Sequence, residues 1–136
     1  MPANPSFSSI TRMSSSLKDL FILIYDLSPL EMDLLLFLIS ENTPLTLDDL
    51  TKELNRDKST VFRALQKLVN LGICTKDTKT LKEGGLYHVY SAIPKEMLLL
   101  ETEKKVKELE QSLKRILKKF QDDLENMLLA NNSRKK

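Results

Sequence analysis

The chain has 136 residues, 41% apolar and 29% charged, which suits one closed hydrophobic core plus an appendage. A single cysteine (Cys74) and a single histidine (His88) exclude a disulfide framework and argue against a metal site, so a reducing, cytoplasmic setting is expected. The net charge of +2 hides an asymmetry: residues 1–55 balance at −5, residues 56–95 at +5 and residues 96–136 at +2, as a polyanion-binding middle segment would.

Residues 1–16 are serine-rich and without periodicity, so a flexible tail is expected there, with Met13 as an alternative start. Leu17, Leu20, Phe21 and Ile24 recur at helical spacing, while Ile22, Leu23 and Tyr25 fill the other side. A helix apolar all round is either enclosed in a core or packed on both its own domain and a partner. The apolar region from Leu20 to Ser40 is broken by Asp26, Pro29, Glu31 and Asp33, so no membrane span is expected. Ser28-Pro29-Leu30-Glu31 combines a capping serine, a proline at the first helical position and a glutamate placed to close a capping box. The helix it opens carries Leu30, Leu34, Phe37 and Leu38 on one stripe. Residues 42–45 leave room for a very short strand. Thr46 then caps a helix with Leu47, Leu50 and Leu54 inward and Asp48 and Asp49 at its positive end.

After the turn Asn55-Arg56-Asp57, Asp57 caps a helix over 58–71 that stops at Gly72. Val61, Leu65 and Leu68 share its inner face. Ser59, Arg63, Gln66 and Asn70 lie opposite, flanked by Thr60 and Lys67, with no carboxylate after Asp57. Arginine donates twice to guanine, glutamine pairs with adenine, and serine or threonine bonds phosphate, so this face suits a DNA major groove. The helix N-terminus adds anion-binding amides. Arg56 and Lys58 stand beside it. Ile73 to Lys76 and Tyr87 to Ala92 read as the strands of a hairpin with a Gly84-Gly85 tip, where Lys76, Lys79 and Lys82 could follow a phosphate backbone. Lysines on an edge strand also block aggregation, but their position on a wing favours the phosphate role.

Pro94 opens the longest helix. Leu99, Val106, Leu113, Phe120 and Met127 recur every seven residues, with Leu109 and Ile116 at alternate seam positions and Thr102 and Asp123 interrupting. Leu117, Leu124 and Leu128 widen the stripe. Acidic residues on the polar side disfavour a membrane surface, so a homodimer through this helix is expected, with Leu17–Tyr25 contributing. The domains expected are a tail (1–16), a DNA-binding domain (17–93), a coiled-coil-like dimerisation helix (94–130) and a basic tail (131–136). The fold class is mainly α with a small β-hairpin wing.

The runs Leu50-Thr51-Lys52-Glu53-Leu54, Lys58 to Leu68 and Leu71-Gly72-Ile73 resemble the winged helix-turn-helix signature of MarR-like and TrmB-like regulators. The segment with Tyr87, Tyr90, Ala92, Ile93 and Pro94 is similar to the archaeal TrmB-like branch. The resemblance implies that Ser59, Thr60, Arg63 and Lys67 face the groove and that the wing touches the backbone. Larger TrmB-like proteins carry a sugar-binding domain after the long helix, where this sequence ends. Metal-sensing relatives place cysteines and histidines on the recognition helix, and this one has none, which leaves a small-molecule effector open. Cys74 reads as a buried hydrophobe rather than a redox sensor. No nucleophile elbow, phosphate loop or ligand cluster points to an enzyme or a cofactor. The expected function is a sequence-specific regulator of double-stranded DNA. The alternatives are a protein-interaction module of the transcription machinery and a non-specific architectural chromatin protein.

Overall fold

The computed structural model describes residues 17–134; the expected N-terminal tail, and Lys135 and Lys136 at the other end, lie outside them. In chain order the elements are α1 (Leu17–Tyr25), α2 (Pro29–Glu41), α3 (Leu47–Leu54), α4 (Lys58–Asn70), β1 (Cys74–Thr80), β2 (Leu86–Ala92) and α5 (Lys95–Arg134). This is a winged helix, mainly α with a two-stranded antiparallel wing.

Local chemistry sets most helix starts. The Ser28 hydroxyl accepts from the Glu31 amide at 3.2 Å, and Glu31 Oε1 accepts from the Ser28 amide at 2.9 Å, so the expected capping box is formed. Thr46 and Asp49 form a second box at 3.1 Å in both directions. Such boxes satisfy amides that the first helical turn leaves unpaired, at about 1 kcal/mol for the capping side chain. Asn42 and Asn55 end α2 and α3 in the left-handed region, with φ of 57° and 53°. Gly72, at φ 80°, turns the chain out of α4 into the wing, a conformation glycine adopts without a Cβ penalty.

The core is built where these helices meet. Leu34, Leu35, Leu50, Val61, Leu65, Leu68 and Ile73 are wholly buried, with Leu27, Met32 and Leu38 nearly so. On α2 the buried set is Met32, Leu34, Leu35 and Leu38, whereas Leu30 and Phe37 from the expected stripe are only partly covered. A central helix covered on several sides does not confine its core residues to one stripe. On α1 the core side is Phe21 with Tyr25, whose rings stand 5.9 Å apart, so Tyr25 joins Phe21 rather than opposing it. Residues four apart share a helix face, and the spacing Phe21–Tyr25 obeys that rule. Leu17, Leu20 and Leu23 of α1 remain exposed.

The wing is longer than the sequence pattern implied. β1 runs on to Thr80, paired with Leu86, because the ladder continues through Thr78 and Thr80 to a tight tip. There Leu81 donates to the Gly85 carbonyl at 3.0 Å. The short strand expected at 42–45 is a single bridge, Leu45 with Tyr90, made by bonds of 2.9 and 2.7 Å. The described residues separate as two compact units, 17–98 and 99–134. Within the second, α5 continues as helix through the first residues of the expected basic tail, to Arg134.

Candidate nucleic-acid interface

α4 presents two opposed faces. Val61, Leu65 and Leu68 are fully buried and Ala64 nearly so, while Ser59, Arg63, Gln66 and Asn70 are exposed on the side away from the core. That burial fixes the rotation of the helix, so Arg63 and Gln66 are carried outward by the packing of their neighbours.

At the start of α4 the capping side chain collects several donors. Asp57 accepts from the Thr60 hydroxyl at 2.6 Å, the Ser59 hydroxyl at 2.7 Å and the Thr60 amide at 3.1 Å. These bonds, the Thr60 hydroxyl foremost, hold the Asp57 carboxyl down at about 2. The hydroxyls of Ser59 and Thr60 therefore spend their protons on Asp57 and keep only acceptor lone pairs for a second partner. The Thr60 amide, one of the donors expected for an incoming anion, is also taken by Asp57.

The cations divide into four groups. Arg56, in the turn before α4, and Arg63 are exposed. Lys58 is exposed and pairs with Asp48 of α3 at 3.2 Å, which offsets part of its charge. Lys67 is not brought to this face: its Nζ donates to the Asp26 carbonyl at 2.6 Å and pairs with Glu31 at 2.8 Å. It ties α4 to the bend between α1 and α2. On the wing, Lys76 stands across from Tyr90 and lines a small cleft of about 100 Å³ with Gln66 and Asn70. Lys79 pairs across from Tyr87 on the opposite strand face, and Lys82 sits in the exposed tip.

Two exposed aromatics escaped the sequence reading. Phe62 and Tyr87 are 37% and 38% exposed and share a cleft of about 420 Å³ with Lys58 and His88, between the helices and the wing. Phe62 was legible in principle, because one residue after Val61 lies 100° off the buried stripe. Tyr87 was not, since the strand register alone does not say which face the helices cover. His88 Nδ1 lies 3.2 Å from the Thr78 hydroxyl. Cys74 is buried and its thiol is pushed up to about 12 by desolvation, so it stays protonated. No group of residues that could hold a metal ion occurs among the described residues.

Residues 22–96 match the family model of the sugar-specific transcriptional regulator TrmB. The chain belongs to this TrmB family. An uncharacterised protein of Methanocaldococcus jannaschii is 39% identical over 89 residues, an alignment covering 65% of this chain and 64% of that relative's length. Among solved structures, a possible transcriptional regulator of Methanosarcina mazei superposes with a TM-score of 0.70 at 24% identity, over 77% of this chain and 88% of that one. A protein of the thermoacidophilic archaeon Sulfolobus tokodaii superposes at 0.59 with 21% identity, over 71% and 93% respectively. These structural likenesses concern the fold. The matched family segment of the TrmB-like chain spans α2, α3, α4 and the wing, so it contains the whole candidate interface. Among the described residues no helix is long and apolar enough to cross a membrane.

Proposed function

We propose that this TrmB-family chain is a sequence-specific, double-stranded-DNA-binding transcription regulator that acts as a homodimer. In this reading residues 17–93 form the DNA-binding domain and residues 94–130 the dimerisation helix, and α4 enters the major groove while the wing follows the backbone. The observation that carries it is the outer face of α4. Arg63 and Gln66 stand exposed opposite a fully buried stripe, and no carboxylate lies between Lys58 and Asn70. Roles divide by reach and chemistry. Arg63 and Gln66 read base edges, Arg56, Lys58, Lys76, Lys79 and Lys82 meet phosphates, and Ser59 and Thr60 contribute acceptors while Asp57 orients them.

Affinity for a labelled duplex, titrated over a range of salt, tests the reading. Log affinity falls linearly with log salt as phosphate contacts release counterions. Replacing Lys79 and Lys82 with Ala weakens binding to all sequences alike and flattens the slope by up to about one unit per lysine and subunit. An unchanged slope in that double variant removes the wing from the backbone.

The exposed Phe62 and Tyr87 favour a second reading, a protein-interaction module, because half-exposed aromatics in a cleft are typical anchor points. If the parent binds no duplex at any salt concentration, that module becomes the better account.

A further inference from the structure

Phe62 belongs to neither face of α4. At 3.6 residues per turn it lies about 100° from Val61 on one side and about 100° from Arg63 on the other. Its ring is 37% exposed, although Val61 and Leu65 beside it are wholly buried. Gln66 falls between Phe62 and Arg63 around the helix, about 40° from the first and about 60° from the second, and about 6 Å along the axis from Phe62. Phe62 and Gln66 also line one cleft of about 100 Å³, together with Val69, Asn70, Lys76 and Tyr90. None of these residues is a carboxylate, whereas the larger cleft that Phe62 also lines includes Asp48. The small cleft is well below the roughly 300 Å³ at which small-molecule pockets begin, so it has room for a methyl group and not for a ligand.

We propose that Phe62 reads a thymine: its ring packs against the C5-methyl group that thymine turns into the major groove, beside the base that Gln66 contacts. The proposal rests on the reading of α4 above and adds an apolar contact to its polar ones. Among the four bases only thymine carries a methyl group in that groove, and phenylalanine is one of the side chains whose chemistry suits it. Covering the methyl removes apolar surface of both partners from water, which is favourable without any hydrogen bond. The surroundings fit the same occupant. The amides of Gln66 and Asn70 suit a base edge, and Lys76, lining the same cleft from the wing, suits a phosphate of the adjoining backbone. Arg63, Gln66 and Phe62 thus form a row around one side of α4, from a guanine donor through an adenine partner to a methyl contact.

Replacing thymine by deoxyuridine tests the contact, because it removes the methyl group and leaves the base pair's hydrogen bonds in place. The full chain selects its site from a random duplex pool, and each thymine of that duplex is then replaced in turn. The parent should bind about fourfold more weakly for each methyl lost at one position in each half-site, and be indifferent elsewhere. Phe62→Ala should bind the thymine and the uracil duplex alike at that position, while keeping its preference at the other bases of the site. Phe62→Gln, which keeps a side chain of similar length, should lose the methyl preference in the same way and does not depend on how the fold tolerates alanine. If both variants keep the parent's thymine-to-uracil ratio, the methyl contact belongs to another residue and the role of Phe62 is overturned. A parent that selects a site yet ignores every uracil overturns it too, and leaves the reading of α4 intact. A parent that binds no duplex, or every duplex alike, overturns the sequence reading itself and this contact with it.

Discussion

Between Phe21 and Tyr90 the chain hides nearly every large apolar side chain that its pattern assigns inward; between Leu113 and Leu129, α5 leaves Ile116, Leu117, Phe120, Met127 and Leu128 more than half exposed. The first region closes a core from helices that bury one another, and its outward residues are a by-product of that closure. The second is one helix, about 60 Å long if fully regular, with an apolar side that nothing in its own unit covers. The same amphipathic pattern thus marks a core in one place and an unfilled surface in the other. What separates them is whether neighbouring elements lie close enough in sequence to fold over it.

Substitutions that act on one region alone sharpen the contrast. The largest effect is expected in the core: Leu65→Ala should cost about 2–5 kcal/mol, because the wholly buried site leaves a cavity when truncated. Leu117→Ala on α5 should leave winged-helix unfolding in urea nearly unchanged while weakening self-association on dilution. Equal losses of fold stability from both would erase the distinction between core and surface.

A smaller effect follows from Lys67. Its ion pair with Glu31 is partly solvated, the two side chains being 37% and 16% exposed, so Lys67→Met should lower stability by about 1 kcal/mol at most. Because the lysine is engaged by Asp26 and Glu31, the salt slope of DNA binding should stay where it is. A slope flatter by about one unit per subunit would return Lys67 to the phosphate contacts.

Asp57 gives a pH signature. Its carboxyl falls from the usual 3.8 to about 2 in the folded chain, so its contribution is complete above 3.8 and is lost as pH falls through about 2. Comparing the parent with Asp57→Ala in acid unfolding, the stability difference should be constant above pH 4 and shrink towards pH 2. A difference that persists below pH 2 would assign the effect to something other than the ionised cap.

These cases also show how far sequence alone reached. Ser28 with Glu31 was legible because a capping box is settled within four residues; Thr46 was legible as a cap, but the box that Asp49 closes with it was not foreseen. The inner face of α4 was legible because Val61, Leu65 and Leu68 keep strict helical spacing. The fate of Lys67 was not, because its acceptor is a backbone carbonyl 41 residues away that only the tertiary fold brings near. The engagement of Ser59 and Thr60 by Asp57 is local and could have been foreseen, yet their polarity alone pointed outward to DNA. On α5 the apolar stripe was legible because Leu99, Val106, Leu113, Phe120 and Met127 keep a regular spacing.

The central claim, that the outer face of α4 reads DNA sequence, is tested most directly by selecting bound fragments from a random duplex pool, with the parent and with Arg63→Ala. The parent should recover a site with two-fold symmetry. Arg63→Ala should remain folded and recover the same site with discrimination lost at one base pair in each half, a change of about 1–3 kcal/mol between matched and mismatched duplexes. Recovery of the pool without enrichment would contradict sequence reading, and identical sites from both proteins would remove Arg63 from the base edges.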